Sequence, residues 1–440
     1  MKDILQQLNA QYRFQRLSAA GKAAVRLRGK APAADSREGE VNNHVHTFYS
    51  FSPYSPSLAA YKAKEAGLKA VGIMDHDSIA GAEEMIAACM ALDIASTAGF
   101  ELRVNISGTA VAGKKLNNPD SRNIIYIAIH GIPGKRFKEV RAFLKPMLVE
   151  RNKRNRLMVA KLNLLLESYG MEKIDFKKDV YGISKAGEGG TITERHILYA
   201  FAIKILKKAG KGKTLVEFLD KTLHVSLPKK ITEYLLDERN PHYTYDLLGV
   251  LKSSFLEKIF VQPDYRECIS VYETVNFANF IDAIPAYAYL GDVTDSPTGD
   301  KKAEKFEDDF LDALIPELKT IGFKAVTYMP PRNTLEQLRR IQRLCSEYEL
   351  MEISGVDINS SRQTFHCPII MEPDFRHLVD ATWALIAHEK LTNVDSRYSF
   401  FGSTNPLKEK TIKERIQLYS EIGKKIDNRN PYNLRGLIPF

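Results

Sequence analysis

The stretch HVHTFYSFSPYSPSLAAYKAKEAGLKAVGIMDHDSIAG, residues 44–81, decides the fold. On a strand, positions i and i+2 project to one face, so His44 and His46 can share a metal ion. An ordinary pair of surface or core histidines is the other reading of that motif. A helical segment follows, and then the apolar run LKAVGIM passes straight into Asp75-His76-Asp77. A continuously apolar strand is buried on both faces, as in a parallel sheet covered by helices. Ionisable groups crowded at the C-terminal end of such a strand mark the rim where α/β barrels place their sites. Asp77 or Ser78 capping the helix that begins near Ala80 would explain one residue, but not the trio.

Outward from this block the pattern repeats. Glu101 closes IASTAGFE, His130 closes the β-prone NIIYIAIH, and Asp357 closes MEISGVD. Each is the first ionisable residue after an expected strand, so five strands are expected to bring His44, His46, His76, Glu101, His130 and Asp357 to one rim. Imidazoles and carboxylates without sulfur suit manganese, iron or zinc.

The chain divides by composition. Residues 1–40 read as a lead-in outside the core, and 41–135 as the first part of an α/β barrel. Residues 136–265, helical and charged, read as an inserted subdomain. Residues 266–370 complete the barrel. A helical extension, 371–440, packs outside it or forms a dimer contact, with His377 and His388 structural. With 44% hydrophobic and 27% charged residues the chain is neither disordered nor membranous. No run reaches the roughly 18 apolar residues of a membrane span, and the charged N-terminal sequence is not a signal peptide, so a cytoplasmic location is expected. The four cysteines, Cys89, Cys268, Cys345 and Cys367, form no thiolate-site spacing. A net charge of +9 favours anionic partners.

The opening block, TAGFE, YIAIHGI, TITERHILYAFA, AIPAYAYLGD and the segment from FKAVTYMPPRNT to GVDIN resemble the PHP (polymerase and histidinol phosphatase) superfamily over roughly residues 41–368. The resemblance implies a distorted (β/α)7 TIM-like barrel with an inserted helical subdomain. It further implies up to three metal ions at the rim, which bind phosphate and activate water. His44, His46, Glu101 and Asp357 match the first metal site. In the second, Glu101 bridges and His130 binds, but the Ala-His-Pro ligand is replaced by Ala288-Tyr289-Leu290, for which Asp292 or Asp295 are candidate substitutes. In the third, His76 remains while Phe51 stands in place of an Asp and Asn359 in place of a His, so that position is expected to be empty or weak. Arg195-His196 matches a phosphate-contacting Thr-Arg-x-His block in which Glu194 occupies the Arg position. Arg332, beside Asn333, is a weaker candidate.

The expected activity is metal-dependent hydrolysis of a small phosphorylated metabolite or nucleotide, using one or two divalent ions. His76 binds metal or protonates the leaving oxygen, and Asp357, Arg195 and His196 assist. The alternative is a catalytically impaired PHP-fold protein that binds a ligand or regulates. Nucleic acid is a further, less favoured partner, since no helix-turn-helix or aromatic-rich basic groove is evident.

Overall fold

The computed structural model describes residues 2–28, 37–118, 120–292 and 307–437. Helices α1 (Lys2–Leu8) and α2 (Arg13–Arg28) precede strand β1 (Val41–Val45). There follow α3 (Pro56–Glu65), β2 (Ala70–His76), α4 (Ala82–Leu92), β3 (Ala95–Asn105) and β4 (Ile124–His130). Helices α5 (Phe137–Ser168), α6 (Glu194–Ala209), α7 (Lys213–Lys221), α8 (Lys229–Leu236) and α9 (Tyr243–Ile259) come next. The chain then continues through α10 (Val271–Phe280), β5 (Ile284–Ala288), α11 (Leu311–Ile321), β6 (Ala325–Tyr328), α12 (Leu335–Glu347) and β7 (Met351–Ser354). Two helices, α13 (His377–Val394) and α14 (Ile412–Lys425), end the fold.

The strands form one seven-stranded sheet in sequence order. It closes on itself beyond the last strand, where Val45 and Ile358 bridge in parallel. There the His46 N–H donates to the Ile358 carbonyl at 2.9 Å and the Ile358 N–H to the His44 carbonyl at 3.1 Å. This is the distorted (β/α)7 barrel, and its distortion is specific: β4 runs antiparallel to both β3 and β5. The parallel sheet read from the apolar runs thus has one antiparallel strand. An antiparallel strand buried on both sides has the same apolar run as a parallel one, so the sequence pattern does not distinguish them.

A second hydrophobic core, separate from that of the barrel, lies among α5 to α9 and includes Phe51 from the β1–α3 loop. The N-terminal helices are not a lead-in outside the core. Ile4, Leu8, Ala19, Ala20, Ala23 and Ala24 join the barrel core, and the buried Arg16 guanidinium grips Glu84 of α4 at 2.8 and 2.5 Å. Alanine-rich sequence looked like a linker because small residues carry little hydrophobic signal, yet they let helices approach closely.

Helix α13 is buried along nearly its whole length. Its Thr382 hydroxyl accepts from Asn43 at 2.8 Å and its Glu389 carboxylate from the Ala98 N–H at 2.7 Å. His388 lies against Gly131, whose φ of +64° leaves no room for a side chain, since a Cβ there would stand 2.7 Å from the imidazole. Burial pushes the His388 imidazole down to about 4, and its Nδ1 accepts from the Phe400 N–H at 3.0 Å. Because the folded value lies below the ordinary 6.5, the unfolded chain takes up the proton first. Stability is therefore lost as pH falls from about 6.5 towards 4. Between pH 7 and 5 this one group accounts for about 2 kcal/mol. Urea unfolding at the two pH values should show the difference shrink by that amount in His388→Asn, which retains an acceptor for Phe400; an unchanged difference would refute the assignment.

Candidate metal centre

His44 lies in β1 and His46 just past its end, β2 ends in His76, and the ladder pairs His76 directly with Glu101 of β3. Glu101 is thus brought level with the ends of its neighbours, although β3 runs on to Asn105. Its Oε1 lies 2.8 Å from His76 Nδ1 and 3.3 Å from His46 Nε2, and its Oε2 lies 3.4 Å from His44 Nε2. Asp357, three residues past β7, stands 3.2 Å from His46 Nε2. Two sets, His44 with His46 and Asp357, and His46 with His76 and Glu101, each gather donor atoms within 4.8 Å of one another.

Burial alone would raise Glu101, but the nearby imidazoles of His76 and His44 hold it well below the usual carboxylate range. Asp357 is likewise held low against its burial by His46 and His44. The Nε2 atoms of His44, His46 and His130 are buried and lack a hydrogen bond among the described residues. Buried imidazole nitrogens without donors or acceptors, facing two ionised carboxylates, fit a divalent cation. Only the His76 and Asp357 side chains, 27% and 36% exposed, open the cluster to solvent.

His130 belongs to neither donor set, and the direction of β4 places it differently from the expectation. Since β4 is antiparallel, His130 pairs with Ile284 at the start of β5, at the opposite end of that strand from the rim. Burial and then the nearby His44 push its imidazole down to about 3. Neutral imidazole is the form that ligates metal.

A second layer fixes His46. Asp75 is buried and accepts from the Thr47 N–H, the Thr47 hydroxyl and the Ser50 hydroxyl, at 2.7, 2.7 and 2.6 Å. Ser50, having given its proton to Asp75, is an acceptor for His46 Nδ1 at 3.2 Å. That leaves the His46 Nε2 lone pair directed at the cluster.

Other sequence candidates sit elsewhere. Asp292 belongs to neither donor set: its carboxylate accepts from the Glu307 N–H at 2.9 Å, capping the turn at Asp308–Phe310. Asp295 lies outside the described residues. Tyr289 donates to Asp308 at 2.6 Å, and burial with that carboxylate holds its phenol far above the ordinary range. Asn359 turns its amide nitrogen to Asp357 Oδ1 at 2.7 Å, so it orients the carboxylate from the side. His196 caps α6, its Nδ1 accepting from the Thr193 N–H at 3.0 Å, and is pushed down to about 3 by burial. Arg195 extends to the Asn359 carbonyl at 3.4 Å. Arg332 and Asn333 both hold the Leu290 carbonyl.

Sequence reasoning missed a buried ion network beside the centre. Arg103 of β3 and Arg154 of α5 both bind Glu267, at 2.6 Å each, and Arg154 also binds Glu194 at 2.7 Å. Arg151 bridges Glu194 at 3.4 Å and Asp77. Three guanidiniums thus balance three carboxylates drawn from β3, α5, α6 and two loops. Among these, only Asp77, beside His76, and Glu194, in the Arg position of the Thr-Arg-x-His block, drew notice in the sequence.

The PHP domain family model matches residues 42–319. Among solved structures, the chain is similar to a Bifidobacterium adolescentis protein assigned as a metal-dependent phosphoesterase. The two are 16% identical, with a TM-score of 0.48 over 73% of this chain and 88% of that one. It is also similar to an amidohydrolase from Chromobacterium violaceum with bound sulfate and no metal, again 16% identical with a TM-score of 0.48, over 78% and 97% of the two chains. Comparison with the curated proteins found no match.

The second layer makes a direct prediction. Ser50→Ala removes the link between Asp75 and His46 without touching a donor atom, and Mn²⁺ or Zn²⁺ affinity measured by calorimetry should fall roughly 10- to 100-fold. Glu101→Gln should abolish binding. Wild-type affinity in Ser50→Ala would show that His46 is held by other means.

Proposed function

Because the chain belongs to the PHP domain family, we propose that it is a metal-dependent phosphoesterase, cleaving a small phosphorylated metabolite or nucleotide with water as nucleophile. The observation that carries this reading is the convergence of three imidazoles on Glu101, with Asp357 against His46. His44, His46, Glu101 and Asp357 would hold one divalent ion, and His130 with Glu101 a second, of manganese, iron or zinc. Such ions lower the pKa of water and screen phosphoryl oxygens. Arg195, which bonds to the Asn359 carbonyl at the edge of the Asp357 loop, would contact a phosphate oxygen. His76, the partly exposed imidazole, gives a proton to the leaving oxygen as its bond to phosphorus breaks. The four free, buried cysteines support a reducing, cytoplasmic location.

A second reading has its own observation. Phe51, Tyr289 and Asn359 stand where the family's ligands are expected, and their side chains are engaged with aromatic rings, Asp308 and Asp357 respectively. A catalytically impaired, ligand-binding PHP-fold protein would have this pattern.

Turnover of a phosphoester panel by the Mn²⁺-loaded protein separates the two readings. The first expects hydrolysis lost in His46→Ala; bound metal with no turnover on any ester favours the second. The role of His76 is read from the leaving group. In His76→Gln, alkyl phosphate hydrolysis should drop by roughly 10²- to 10⁴-fold, whereas p-nitrophenyl phosphate, whose leaving group needs no proton, should be largely spared. Equal losses on both esters would assign His76 to metal binding.

A further inference from the structure

No strand holds Asp357, which stands three residues past β7 in a segment secured from two sides. On the barrel side is the bridge from Ile358 to Val45. Within the segment a single carboxamide ties the main chain together. Gln363 Oε1 accepts from the Asn359 and Ser360 N–H groups, at 2.7 Å each, and its Nε2 donates to the Asp357 carbonyl at 2.7 Å. The backbone from Asp357 to Gln363 is thereby closed into a ring, so whatever holds the Gln363 end also holds Asp357.

On the other side is the helical region. Arg362, next to Gln363, donates to both oxygens of Asp246 on α9, from Nε at 2.5 Å and from Nη2 at 2.7 Å. Its guanidinium lies 3.7 Å from the centre of the Tyr234 ring on α8. Asn240, between these two helices, donates to the same carboxylate at 2.7 Å. The Asp246 side chain is only 5% exposed, and a two-point ion pair to a buried carboxylate fixes a guanidinium in orientation as well as in place. Beside it, His242 Nδ1 and the Ser361 hydroxyl stand 2.8 Å apart. Asn359, through Arg195, together with Ser361 and Arg362, thus bonds to the helical region, which itself supplies no member of either donor set.

An unsupported loop fixes a carboxylate poorly, because ordering its backbone costs entropy residue by residue. We propose that Arg362 and Gln363 are positioning residues for Asp357 as a metal ligand, and that the ion pair from Arg362 to Asp246 makes the helical region part of the metal site without touching the ion. This inference rests on the reading of the cluster as a metal centre, and not on which ester is cleaved. A pair that merely fastened the helices to the barrel would change stability and leave metal affinity alone.

The test is a double-mutant cycle on Mn²⁺ affinity, measured by calorimetry on the full chain. Arg362→Gln and Gln363→Ala should each weaken binding about tenfold. The set of His46, His76 and Glu101 keeps binding measurable in Asp357→Asn. Adding Arg362→Gln to Asp357→Asn should cost nothing further, since the ligand that Arg362 positions is already gone. Because Arg362→Gln strands a buried carboxylate, it is repeated together with Asp246→Asn, which removes that charge; this variant, shown to be folded by its urea midpoint, should show the same tenfold loss. Wild-type affinity in the Arg362→Gln, Asp246→Asn protein, or a further tenfold loss when Arg362→Gln is added to Asp357→Asn, would overturn the proposal. A wild-type chain that takes up no divalent ion would overturn it together with the metal centre. One that binds Mn²⁺ and shows the cycle but hydrolyses no phosphoester would sink the proposed activity and leave the positioning role standing.

Discussion

Glu101 is a buried carboxylate shared by three imidazoles, and the geometry of the barrel mouth follows from it. An ionised carboxylate inside a protein is costly unless charge and hydrogen bonds surround it. Here they come from His44, His46 and His76 on two neighbouring strands. The ladder must therefore keep the register that sets His76 opposite Glu101, since a slip of one residue would turn Glu101 to the other face of the sheet. The same demand reaches across the barrel. Asp357 meets His46 only because the Val45–Ile358 bridge brings the segment after β7 against β1. Closure of the sheet and assembly of the cluster are one event.

This explains which features were legible in the sequence. Residues that close apolar strands, such as His44, His46, His76 and Asp357, could be placed at a rim because strand ends are marked by a change from apolar to ionisable. Glu101 was placed by the same signal, although its strand continues through Leu102 and Val104. His130 shows where the rule stops. NIIYIAIH reads as a buried strand in either direction, and direction alone decides which end of the barrel its last residue occupies. The Arg103, Arg151 and Arg154 network was illegible for a different reason. Its partners Asp77, Glu194 and Glu267 are spread over about half the chain, and a charged residue in a helical pattern looks the same whether it is solvated or buried in an ion pair.

The replaced ligands are better understood from their contacts than from their identities. Glu194 occupies the place of the family's arginine, but the structure has absorbed it into the network with Arg151 and Arg154, leaving Arg195 to reach the Asp357 loop. Asn359 no longer offers an imidazole, and instead tethers the carboxylate of Asp357. Glu194 and Asn359 thus each support a neighbour of the centre.

Phe51 carries this furthest, because its backbone is held in the left-handed region, with φ of +77°. For a bulky residue that conformation costs about 1–2 kcal/mol. Burying the ring returns about 1.5–3 kcal/mol, and its edge contact with His196 at 4.9 Å adds to that. The strained turn persists because the helices of the second core pack on the aromatic ring it presents, and an aspartate at that position would offer them nothing apolar to pack against. Phe51 is therefore one of the residues that fasten the helical region to the barrel, together with the ion network of Arg103, Arg151 and Arg154. A carboxylate at this position would leave Tyr199 and Tyr245 without the ring that they flank.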